Sequence, residues 1–166
     1  RYGCPPVSDG GEEMATAFSP RERERIRDSL LDAALKSAAT QGMRHATVDG
    51  LAREAGISKG AFYRFYPSKE HLFLSMLERT HEEMYGSAEK VLDERTDLPL
   101  RERTMRAILE VFRVAETYNL IPFIREELPL LLRRLPQDVV NAHYITDDER
   151  IKRLILKAGA LSLIHI

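Results

Sequence analysis

A chain of 166 residues has room for one domain, or two small ones sharing an interface, and its 43% hydrophobic and 31% charged residues are enough apolar surface to bury a core. No apolar run reaches the roughly 18 residues of a membrane helix and no secretory signal opens the chain, so no membrane partner is expected. The one cysteine, Cys4, cannot close an internal disulfide, no Cys/His cluster has zinc spacing, and the net charge is -1, which together fit a cytoplasmic protein without metal or cofactor and without a global field for nucleic acid.

Residues 1–19 hold Pro-Pro and Gly-Gly without periodicity and read as a disordered arm. Met14 reads as an initiator, with residues 1–13 upstream of the native start. Over residues 20–41, Ile26, Leu30, Ala33, Ala34 and Ala38 recur at three- and four-residue spacing, which predicts an amphipathic helix. Ser19-Pro20 caps its start and Gly42 suits the left-handed position after its end. Thr47 caps a second, short helix with Val48, Leu51, Ala52 and Ala55 on one face, ended by Gly56. Ser58 caps a third over residues 58–66. Two short helices joined by so tight a glycine turn must cross steeply, as in a helix-turn-helix.

Ser68 opens a long fourth helix to about residue 94, with Leu72, Phe73, Met76, Leu77, Met84, Ala88, Val91 and Leu92 as its buried stripe. A fifth helix, residues 100–118, is expected to turn Met105, Ile108, Leu109, Phe112 and Ala115 inward. Pro122, Pro129 and Pro136 then cut the chain into short pieces, and a last helix is expected from about Asp147. No alternating stretch predicts a strand. The fold class is therefore all-α: a three-helix helix-turn-helix domain over residues 20–67, followed by a helical bundle over residues 68–166.

The charge is uneven. Residues 19–72 carry ten basic and seven acidic side chains, so an anionic partner would meet this segment first. On the 58–66 helix, Phe62, Phe65 and Tyr66 share an apolar arc; Gly60 and Arg64 fall opposite, with Ala61 and Tyr63 at the borders. Bulky residues would thus anchor the helix while a slim, cationic flank enters a DNA major groove about 12 Å wide. Lys59 and Arg64 can reach guanine edges or phosphate, and the capped starts at Thr47 and Ser58 offer phosphate sites, with Lys69 beside them. A purely structural role leaves Thr47 and Ser58 as caps and the aromatics as core.

The stretch from residue 27 to residue 73 resembles the DNA-binding domain of the TetR family of bacterial transcriptional regulators. It does so through Ala33-Ala34, Gly42, Thr47-Val48, Leu51-Ala52, Ala55-Gly56-Ile57-Ser58, Gly60, Phe62-Tyr63, Tyr66 and Lys69-Glu70. The resemblance implies a ligand-responsive repressor that binds a palindromic double-stranded DNA operator as a homodimer and releases it when a small-molecule effector enters the C-terminal domain. It further implies phosphate contacts from Thr47, Ser58, Tyr63 and Lys69, with Lys59, Gly60, Ala61 and Arg64 at base edges. Two departures from the family pattern stand out: Ser37-Ala38 replaces a large apolar pair, and Phe65 stands where histidine is common.

Two further functional classes remain. One is a helical small-molecule-binding or interaction protein whose helix-turn-helix is only structural. The other is a hydrolase, because residues 56–60 fit the G-x-S-x-G elbow, although that motif requires a strand-to-helix turn. His81-Glu82 lacks the second histidine of a zinc helix, and His71 reads as a solvated side chain. Met84, Met105, Phe112, Tyr118, Phe123 and Tyr144 are the candidate lining of an effector pocket. The chain is shorter than the resemblance implies: the effector and dimerisation domain reads as incomplete, and the LSLIHI ending as a non-native tail.

Overall fold

Ser19 starts the first helix by a reciprocal cap: its hydroxyl accepts the Glu22 amide at 3.3 Å while the Glu22 carboxylate accepts the Ser19 amide at 2.8 Å, with Pro20 at the first helical position. The computed structural model describes residues 18–159; the expectations for Cys4, Met14, the arm before Phe18 and the LSLIHI ending lie outside them. Among the described residues there are nine helices and no strand. Helix α1 (Pro20–Thr40) buries Ile26, Leu30, Ala33, Ala34 and Ala38, the stripe its periodicity predicts.

Gly42 then takes φ +78°, and one further turn follows, α2 (Gly42–His45). No local signal foretells this turn. It is held by Glu127, 84 residues on, whose carboxylate accepts the Met43 amide and lies 3.2 Å from Arg44 Nε. A side chain at Gly42 would collide with that carboxylate.

Helices α3 (Val48–Glu54) and α4 (Lys59–Phe62) complete the N-terminal unit. The expected helix over residues 58–66 is shorter than its pattern suggests. Beyond Phe62 the amides of Arg64 and Phe65 bond three residues back, to Ala61 and Phe62, so the chain tightens into turns before Pro67. Helix α5 (Lys69–Glu94) is the spine of the molecule, and α1, α6 and α9 pack along it. Then come α6 (Leu100–Thr117), α7 (Leu120–Glu126), α8 (Leu128–Arg134) and α9 (Gln137–Gly159).

Two expectations need correction. The last helix begins ten residues earlier than Asp147, at Gln137; its first turns bury only Val140 and His143, so no apolar stripe marks them. The stripe of α6 faces the wrong way: Met105, Ile108, Leu109 and Phe112 are each about half exposed, and the small residues Ala107, Val114 and Ala115 face α5. Periodicity finds an apolar face but not what it meets, and small residues allow α6 to approach α5 closely.

The main core is continuous across the expected boundary at residue 67. It runs from Ile26 and Leu30 through Leu51, Phe62 and Phe73 to Phe123, Leu131 and Val140. Phe73 stacks on Phe123 with ring centroids 5.9 Å apart, both rings fully buried, a contact that joins α5 to α7. Truncating one such ring costs on the order of 3–5 kcal/mol.

Candidate nucleic-acid interface

Between α3 and α4 the chain turns in four residues. Gly56, at φ +73°, lets the Ile57 amide reach back to the Ala52 carbonyl at 2.9 Å and its own amide to Arg53 at 3.1 Å, which satisfies the open carbonyls at the end of α3. Each helix start is closed by a hydroxyl: Thr47 Oγ1 accepts the Gly50 amide and Ser58 Oγ the Ala61 amide, both at 3.1 Å. Phe62 is fully buried and Tyr66 and Phe65 pack against the core, so the aromatic arc anchors α4 to the domain. Burial also pushes the Tyr66 phenol above its ordinary value, against a lowering hydrogen bond from Ser75.

The opposite flank is open. Thr47, Ser58, Lys59, Gly60, Tyr63 and Arg64 are exposed and Ala61 is half-buried. Among the described residues a methyl group at Gly60 would meet only Ser58 Oγ, at 4.0 Å, so no packing between them explains a glycine there. Lys59 Nζ lies 3.3 Å from Asp49 Oδ2, an exposed pair worth little in water and easily exchanged for another anion. The Arg64 guanidinium sits over the ring of Phe18, 5.1 Å from its centroid, and Phe18 packs at 5.8 Å on Phe65, over which Arg23 lies in turn. Phe65 thus faces the start of α1. Phe18, which sequence periodicity does not touch, helps to aim Arg64.

Lys69 is placed differently from the rest. Its ammonium donates to the carbonyls of Met43 at 2.9 Å and Ala46 at 2.7 Å, closing the end of α2, which leaves one of its three protons for an outside anion. Ser58, the would-be nucleophile of a G-x-S-x-G elbow, lies between two helices with its hydroxyl engaged as a cap, so the strand-to-helix turn that motif needs is not present at this position.

Of the six residues expected around an effector, Met84 and Tyr118 come together in one small cluster and the other four are not in it. Met105, Phe112 and Tyr144 are half exposed on the surface, and Phe123 is sealed in the main core. Met84 packs with Val114, Ala115 and Tyr118. Tyr118 donates to Glu83 at 2.7 Å, and that bond pushes its phenol above the ordinary range. Glu127 and its bond to α2 escaped the sequence reading, because nothing local links residues 84 apart.

The family profile for bacterial regulatory proteins of the tetR family fits residues 30–76. The uncharacterised HTH-type transcriptional regulator YuxN of Bacillus subtilis is 46% identical over 57 residues, 34% of this chain and 19% of that protein. The uncharacterised HTH-type transcriptional regulator YhgD of the same organism is 31% identical over 135 residues, covering 80% of this chain and 70% of YhgD. In fold, the chain is similar to a protein from Shewanella sp. PV-4 assigned to the tetR family of transcription regulators, with a TM-score of 0.62 at 20% identity, over 82% of this chain and 71% of that one. With an exposed cationic flank between two capped helix starts, and a relative aligned across both halves, the chain belongs to the TetR family of bacterial transcriptional regulators.

Proposed function

We propose that this protein is a ligand-responsive repressor that binds a palindromic operator as a homodimer in the cytoplasm. The observation that carries the reading is Gly60: an exposed helical glycine, with Lys59 before it and Arg64 after it, that no contact among the described residues requires. Lys59, Gly60, Ala61 and Arg64 would approach base edges; Thr47, Ser58 and Tyr63 would take phosphates, with Lys69 contributing its remaining proton. Two copies with their α4 flanks about one DNA turn apart would enter successive major grooves. An effector that binds better to a splayed arrangement would draw the population off the operator, by no more than its differential affinity for the two states.

The half-exposed stripe on α6, Met105, Ile108, Leu109 and Phe112, supports a second copy or further helices covering that face. Selection of bound fragments from random duplex DNA, followed by mobility shifts at two salt concentrations, tests the proposal. A palindromic consensus whose affinity falls as salt rises is expected. Selection that yields no consensus, with binding insensitive to salt, would overturn it.

A further inference from the structure

Away from the DNA-facing flank, a histidine of α5 meets two side chains more than 60 residues further on, where α9 crosses α5. His81 projects from α5; His143 and Asp147, one turn apart, project from α9. His81 Nδ1 is 2.9 Å and His143 Nε2 3.7 Å from the same Asp147 Oδ2, and one ligand atom from each of the three residues lies within 4.8 Å of the other two. The side chains are largely withdrawn from water, His143 to 5% exposure. On the far side of His143, Glu78 Oε1 faces Nδ1 at 3.5 Å. A carboxylate behind an imidazole is the outer arrangement that fixes the ring and raises its basicity when the other nitrogen holds a metal.

We propose that His81, His143 and Asp147 form a binding site for a divalent transition metal of the zinc type, with Glu78 orienting His143. Two imidazoles and a carboxylate are a donor set such ions favour over magnesium or calcium, which prefer oxygen alone. Tetrahedral bonds of 2.0–2.2 Å need ligand atoms about 3.3 Å apart. Two of the three spacings, 2.9 and 3.7 Å, lie either side of that value, and the third is within 4.8 Å, so the three ligand atoms are close to the separation an ion needs. Three protein ligands leave a fourth position, and a groove of about 500 Å³ lined in part by Ser75, Glu78, Thr146 and Arg150 adjoins the cluster and gives a water or a second donor access to it. The bound ion would tie α9 to α5. The site does not depend on DNA binding, since every group in it lies outside the flank described above.

Titration of the whole chain with Zn2+ alone, by calorimetry, and with Co2+ by its visible absorption, tests the site. One ion per chain is expected, with cobalt bands of a four- or five-coordinate nitrogen and oxygen environment and a thermal midpoint that rises with Zn2+ concentration. Asp147→Asn and His81→Gln should each weaken Zn2+ binding at least about tenfold and abolish the thermal shift, whereas His45→Ala and His71→Ala, at histidines outside the cluster, should leave both unchanged. His143 is the most buried of the three, so the Asp147 and His81 variants, checked for native helicity, carry the decision if His143→Ala does not fold. Absence of saturable binding by the native chain, or binding undiminished in both folded variants, would overturn the site.

Discussion

Gly60 and its neighbours separate a helix that packs from a helix that reads. Alanine at position 60 meets no obstacle among the described residues and has the better helix propensity, by up to about 1 kcal/mol, so Gly60→Ala should keep or raise the thermal midpoint while weakening binding to the proposed operator; denaturation and mobility shift on one sample check both signs. Arg64→Ala and Lys59→Ala should each lose about 1–3 kcal/mol on the operator if they contact a base, with relaxed preference at one position. Lys69→Ala should behave otherwise. Because its ammonium holds two carbonyls at the end of α2, the variant should lose about 2 kcal/mol of stability, read by denaturant unfolding, as well as weakening all DNA sequences alike. A Lys69→Ala protein as stable as the parent would remove that structural role.

Among the helices, the start of α1 joins stability to the candidate interface, since Phe18 and Arg23 next to it contact Arg64 and Phe65. Ser19→Ala should cost about 1 kcal/mol. The Ser19 backbone amide and hydroxyl hold the Glu22 carboxyl below its ordinary range. A lowered acid stabilises the fold above the pH at which the unfolded chain ionises, and that contribution disappears as pH falls through the folded value. The difference in stability between parent and Ser19→Ala should therefore narrow on acidification below about pH 4, which unfolding midpoints along a pH series will show.

Across the whole molecule, one core links the helix-turn-helix unit to the C-terminal helices, and Glu127 bonds α2 directly to the junction of α7 and α8. The C-terminal helices therefore touch the helix-turn-helix unit both through this core and through the Glu127 carboxylate. The α6 stripe is an apolar face whose spacing was plain and whose direction was not. If the proposed homodimer forms through this face, charge placed there, as Ile108→Glu with Phe112→Glu, should leave the fold intact and yield a monomer in sedimentation; a dimer that survives both changes would move the interface elsewhere.

Most of the N-terminal unit could be read directly from the chain because its signals are local: a cap hydroxyl, a glycine at positive φ and an apolar residue every third or fourth position act within one or two turns. The exposed flank of α4 was legible on the same grounds. What escaped involves partners tens of residues apart: the extra turn at Gly42–His45 that Glu127 secures, the seat of Lys69 on two carbonyls, the outward stripe of α6, and the meeting of His81 with His143 and Asp147. Helical periodicity fixes which residues share a face but not which way that face points, and only the packing of α6 and α9 around α5 settles it.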